Sequence, residues 1–138
     1  MKLTVFCGKD YRARYIKSVS EYCIEQLGLT NSRYTVIVSA TQKRSKVFAC
    51  TAHTKKDHVF VLLNLDKIPP SELGTTICHE FVHVKQIARG LLRHSPRTAL
   101  WRGKRYEFDK VPFSQRPWEI QALREQAVLI RRYDDQLT

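Results

Sequence analysis

The sequence predicts an α+β fold. Three observations carry that prediction: a one-sided apolar stripe near the N-terminus, three β-rich runs that end by Leu65, and two long helical patterns in the second half. The chain has 138 residues, 43% hydrophobic and 27% charged, which suits a single domain over residues 1–138 with one core.

Each element has its own signal. Leu3, Val5 and Cys7 alternate with outward-facing residues and predict a short opening strand, closed by the turn residues Gly8, Lys9 and Asp10. From Tyr11 to Leu27 the residues Tyr15, Ile16, Val19, Tyr22, Cys23 and Leu27 recur every three or four positions, and Gly28 ends that helix. Strands follow at Arg33 to Ser39, Ser45 to Thr51 and His58 to Leu65, read as an antiparallel meander, so the sheet is expected to be small and mostly antiparallel. Its tips carry Lys43, Arg44 and Lys46 in one turn and Lys55 and Lys56 in the next. A helix then opens after Pro69 and Pro70 with Ser71 as N-cap and runs to about Leu92, before Ser95 and Pro96 stop it. After a loop rich in arginine and aromatics, Pro117 takes a first helical position and Trp118 to Tyr133 forms the last helix.

Composition narrows the function. The longest apolar run, Val59 to Leu63, is far short of the roughly 18 residues a spanning helix needs. The N-terminus lacks a sustained apolar segment with a cleavage site, and Cys7, Cys23, Cys50 and Cys78 are scattered without a Cys-x-x-Cys pair. Reduced thiols in a cytoplasmic, intracellular protein are the expectation. The net charge of +11, from 24 Lys and Arg against 13 Asp and Glu, gives a field that attracts nucleic acid or another acidic partner.

One motif carries chemistry. His79-Glu80-Phe81-Val82-His83 places two imidazoles about 40° apart on one helical face, close enough to share an ion. Glu80 stands about 100° from His79, where a carboxylate acts as general base without being a ligand. On the same wheel Ile77, Phe81, Val84, Ile87, Ala88 and Leu91 fall between about 80° and 200°, a core stripe beside the histidine edge. The metal face therefore lines a cleft at the margin of the core.

A catalytic zinc takes three protein ligands, and two residues compete for the third position. Glu119 opens the last helix among Leu123, Gln126, Ala127 and Ile130, which puts a carboxylate on a mainly apolar face where an ion would offset the cost of burial. An arginine salt bridge or a favourable helix dipole would also account for it. His94 follows His83 by 11 residues and would lie about 16 Å away on a continuous helix, so it ligates only if the chain turns back first. His53 and His58 lie in or beside strands, without a partner at ligand spacing. Tyr106, between the two ligand helices, is a candidate phenol donor to an oxyanion, or a ring packed on Trp101 or Trp118.

The segment His79 to Gln86, with Trp101-Arg102-Gly103 and Arg116-Pro117-Trp118-Glu119-Ile120-Gln121-Ala122, resembles the compact SprT-like, phage-type zinc metallopeptidases. The resemblance covers about residues 58 to 127. It implies a minimal zincin-like domain in which a sheet precedes the active-site helix and an edge strand lines the substrate cleft. It also implies zinc bound by His79, His83 and Glu119, Glu80 as base, and a phage or bacterial setting. In SprT and Spartan relatives the third histidine sits in a His-Gly segment, whereas this chain has His94-Ser95-Pro96. The Pro-Trp-Glu element makes a glutamate-ligand zincin the nearer likeness, and the substrate does not follow from it.

A reading from another class rests on charge placement. From Lys85 to Arg116 nine basic residues (Lys85, Arg89, Arg93, Arg97, Arg102, Lys104, Arg105, Lys110 and Arg116) interleave with Trp101, Tyr106, Phe108 and Phe113, a mixture suited to phosphates and bases. Lys85, Arg89 and Arg93 are expected to form one exposed helical row. A nucleic-acid binder with structural zinc or a vestigial site is thus the alternative to a peptidase, and an interaction protein that keeps the shape without hydrolysis is a third.

Overall fold

The computed structural model describes residues 1–8, 10–42 and 47–137. Lys9 of the expected first turn, and Lys43, Arg44, Ser45 and Lys46 of the expected hairpin, lie outside them.

The opening strand β1 spans Lys2–Phe6 and leads into helix α1, Ala13–Gln26. The helix ends as its glycine predicts. Gly28 adopts φ +70°, and the amides of Gly28 and Leu29 close on the carbonyls of Glu25 and Ile24 at 3.1 and 2.9 Å. Strands β2 (Thr35–Thr41), β3 (Ala49–Lys55) and β4 (His58–Asn64) follow. In the resulting four-stranded sheet the order is β1-β2-β4-β3.

That order corrects the meander. β2 pairs with β1 and with β4 in parallel, and only β3 and β4 form an antiparallel hairpin. The reason is burial. Val59, Val61 and Leu63 of β4 are fully buried, so the most apolar strand takes an inner place, while the polar β3 is left at the edge. Along β2 the buried Val36, Val38 and Ala40 alternate with half-buried residues, so one face of the sheet meets the helices.

Pro70–Glu72 form a short 3-10 turn and helix α2 begins at Leu73 and ends at Ala88. Ser71 is therefore not its N-cap: the turn starts at Pro70, and the Glu72 amide bonds the Pro69 carbonyl at 2.8 Å. Nor does the helix reach Leu92. Gly90, at φ +71°, stops it, and the amides of Gly90 and Leu91 return to the carbonyls of Ile87 and Gln86. The expected core stripe is present, with Ile77, Phe81, Val84 and Ile87 buried.

The stretch read as a loop is a second sheet, three antiparallel strands in the order β5-β6-β7: β5 (Leu92–His94), β6 (Thr98–Trp101) and β7 (Lys104–Glu107). Its turn is tight, with Arg102 at φ 51° and Gly103 at φ 84°. Leu92, Ala99 and Trp101 are buried on its inner face against Trp118 and the core. Helix α3 spans Pro117–Gln136, with proline in the first turn as expected and an end three residues beyond Tyr133. Across both sheets three of the five strand pairings among the described residues are antiparallel, and with three α-helices the class is α+β. Among the described residues no helix is long and apolar enough to cross a membrane. The four cysteines are free thiols, with Cys23 and Cys78 in contact at 3.6 Å between α1 and α2.

Candidate metal centre

The helical repeat puts His79 and His83 one above the other on α2, and packing of α3 against α2 brings Glu119 to face them. Glu119 comes from the first turn of α3. Its Oε1 lies 2.9 Å from His79 Nε2 and 2.9 Å from His83 Nε2, and the two Nε2 atoms are 3.2 Å apart. These residues form a group that could hold a metal ion.

The donor triangle fits an ion. Sides of 2.9, 2.9 and 3.2 Å inscribe in a circle of radius about 1.7 Å, smaller than a zinc bond of about 2.0–2.1 Å, so one ion can bond all three atoms from outside their plane. Two imidazoles and a carboxylate also suit a borderline divalent cation such as zinc. The far nitrogen of each ring is engaged. His79 Nδ1 meets Gln126 Oε1 at 2.5 Å and His83 Nδ1 meets Gln86 Oε1 at 2.7 Å. An amide oxygen only accepts, so each Nδ1 donates, and an Nε2 that gives up its proton turns its lone pair to the centre. Gln86 is itself locked, donating from Nε2 to the Trp118 carbonyl at 3.0 Å and to Gln121 Oε1 at 2.8 Å.

The electrostatics follow from this packing. Burial opposes the charge on Glu119, but hydrogen bonds from His79 and His83 outweigh it and hold the carboxyl at about 2. Burial likewise disfavours charge on His83, yet the Glu119 carboxylate, helped by Glu80 and Gln86, raises that imidazole above its ordinary value.

Glu80 is not part of the group. It is 6% exposed, and its Oε1 accepts a 2.9 Å hydrogen bond from Thr51 Oγ1 on β3. Burial, with a contribution from Glu119, pushes its pKa up against the opposing pull of His83, His79 and Thr51. Beside it opens a cleft of about 530 Å³, bounded by Phe48 and Ala49 at the start of β3, Thr75, His79 and Glu80 on α2, and Gln126 on α3. The outer edge of β3 has no partner strand among the described residues.

The other sequence candidates lie apart from the triad. The chain does turn back at Gly90, and His94 comes near the centre, where burial first, then His83 and Arg116, lower its pKa against Glu119. Its ring nevertheless packs edge-on to Phe108 and Trp118, at 6.1 and 6.4 Å, outside the ligand group. Tyr106 packs edge-on to the same Trp118 at 5.4 Å, with Lys104 Nζ 5.1 Å over its ring, and its hydroxyl makes no hydrogen bond among the described residues. His53 is exposed on β3 with Tyr34 beside it, and His58 Nδ1 bonds the Lys56 carbonyl.

Sequence reasoning missed Gln86, Gln126 and Thr51. Two of these had a signal: Gln86 is three residues after His83 and Gln126 seven after Glu119, each on the same helical face as the ligand. Thr51 had none, because its approach to Glu80 depends on the edge position of β3. Compared with family models, with curated proteins and with solved structures, the chain matches none.

Proposed function

We propose that this protein is a zinc-dependent metallopeptidase of the zincin kind, the activity its motif resemblance implies. The observation that carries the reading is the donor triangle of His79, His83 and Glu119, with a buried, hydrogen-bonded Glu80 beside it that takes no part in the triangle. A structural zinc site has no use for such an unligated acid beside its ligands, whereas metal-assisted hydrolysis uses a general base there.

His79, His83 and Glu119 would hold zinc, which when bound would supply polarisation of a peptide carbonyl and a water of pKa near about 7. The chain's own groups do the rest. Glu80 accepts the proton of the attacking water and later gives it to the leaving amine, and the upward push of burial on its pKa is in the direction that helps a carboxylate hold a proton between those steps. Thr51 aims the Glu80 carboxylate, while Gln86 and Gln126 keep both imidazoles in the ligating tautomer. The free edge of β3 alongside the cleft offers backbone amides and carbonyls to an extended peptide. Tyr106 packs on Trp118 and is not among the residues that bound this cleft, so it has no part in the proposed reaction.

The test is incubation of the zinc-loaded protein with a broad peptide library, alongside Glu80→Gln. Cleavage by the wild type and about 10²–10⁴-fold less by a variant that still binds zinc supports the reading. Equal cleavage by the variant removes Glu80 as base. No cleavage of any peptide by the loaded wild type leaves a zincin-shaped interaction protein.

A further inference from the structure

The three-stranded sheet β5-β6-β7 has two faces, and only the inner one is explained by the core. Across the outer face the register aligns Arg93, Leu100 and Arg105 as direct cross-strand neighbours. All three are exposed, Leu100 by 44%, while the residues on either side of it, Ala99 and Trp101, are buried. The two guanidinium side chains therefore flank an uncovered leucine from strands about 10 Å apart, with no acidic residue in the row. Among the described residues neither arginine makes a salt bridge. A groove of about 580 Å³ lined by Arg97, Thr98, Arg105, Glu107 and Asp109 continues from the row, and the β6-β7 turn carries Arg102, its guanidinium over the Trp101 ring. Of the two carboxylates that line this groove, Glu107 is already paired to Lys110 at 2.7 Å.

The structure also shows which basic residues of the Lys85 to Arg116 stretch are not available. Lys85 is tied to Glu125 at 2.6 Å, Arg89 bonds the Leu27 carbonyl, and Arg116 bonds the carbonyls of Val111 and Phe108. The exposed helical row expected of Lys85, Arg89 and Arg93 does not exist: α2 stops before Arg93, and the first two side chains are engaged in the fold.

We infer that the outer face of β5-β6-β7 binds single-stranded nucleic acid. Phosphates neutralise Arg93, Arg105 and Arg97, which otherwise repel one another, and an unstacked base covers Leu100 and stacks on a guanidinium plane. The uncovered leucine favours a single strand, because a duplex presents phosphates at its rim and keeps its base faces stacked inside. DNA and RNA share this chemistry. The inference is independent of the peptidase reading and needs no turnover.

Fluorescence anisotropy with labelled oligonucleotides of about 20 nucleotides tests it, using single-stranded DNA, single-stranded RNA and duplex DNA. The Arg93→Glu/Arg105→Glu protein is compared with Lys55→Glu/Lys56→Glu, which changes net charge equally on the β3-β4 turn. The expected result is tighter binding of a single strand than of duplex, about tenfold or greater weakening by the Arg93/Arg105 change, and little change in the reference variant. Arg93→Gln/Arg105→Gln, which introduces no new repulsion, should lower the magnitude of the log–log salt slope by about 1.4, the share of two phosphate contacts on a single strand. Preference for DNA or RNA identifies which strand is bound. Equal losses in both double variants, stronger duplex binding, or displacement by polyglutamate as readily as by oligonucleotide overturns the inference.

Discussion

His83 and Gln86 are joined across one turn of α2, Nδ1 to Oε1, at 2.7 Å, and the same glutamine amide bonds the backbone and a side chain of α3. One fully buried amide thus orients a ligand and docks the helix that carries Glu119 onto the helix that carries the histidines. Gln86→Leu keeps the volume but leaves the Trp118 carbonyl and the Gln121 side chain without that donor. Zinc affinity should fall about 10–100-fold, read by chelator competition. Stability should fall by about 1–3 kcal/mol in urea unfolding of the metal-free protein. Unchanged zinc affinity would show that His83 needs no second partner.

The ligand set is tested by elemental analysis of four proteins. Wild type is expected to hold about one zinc per chain, His83→Ala to lose it, Glu119→Ala to hold it weakly, and His94→Ala to hold it as wild type does, since a catalytic site takes three protein ligands. Loss in His94→Ala with retention in Glu119→Ala would exchange the third ligand. Absence of metal from zinc-supplied wild type would end the metallopeptidase reading.

The centre was more legible than the sheet. His79, Glu80 and His83 are fixed by helical geometry alone, and Glu119 shows itself as a carboxylate on an apolar stripe, so local periodicity reaches both helices of the site. Strand order is not local. β2 and β4 alternate alike, and nothing in either says that β4 lies between β2 and β3; relative burial decides it once the helices cover one face. Gly90 did signal the end of α2, but the apolar Leu91 and Leu92 continue the helical period and hide the stop. They are core residues of the turn and strand that follow.

Metal binding and metal-free stability should depend on pH in opposite senses above pH 6.5. In the metal-free protein the folded state raises the pKa of His83 above its ordinary 6.5, so that contribution is complete below 6.5 and fades as pH climbs through the raised value. Glu119, lowered from 4.5 to about 2, contributes fully above 4.5 and loses its contribution as pH falls toward 2. Metal-free stability from this pair is therefore greatest between those limits. Zinc must displace the His83 proton, so its affinity rises with pH until the raised pKa is passed. Thermal melts with and without zinc from about pH 5.5 to 8 should show a gap that widens with pH. A constant gap would mean that no ligand proton is displaced.

Gly74 tests the close packing that sets the metal helix in place. It lies near the start of α2, where a Cβ would fall inside contact distance of the Tyr15 hydroxyl on α1 and 2.6 Å from Ile130 Cδ1 on α3. Tyr15 has little room to retreat, since its ring packs edge-on to Tyr133 at 6.0 Å. In an open helix Gly→Ala stabilises by about 1 kcal/mol, while overpacking a core costs about 1–3 kcal/mol. The steric cost should win at Gly74→Ala, because the Tyr15 ring and the end of Ile130 must both shift, and the melting temperature should drop by a few degrees. The substitution is one and a half turns from His79, so zinc content should remain that of the wild type even as the melt shifts. A raised melting temperature would mean that Tyr15 and Ile130 yield to the added methyl at almost no cost, and that the helical preference of alanine outweighs the contact.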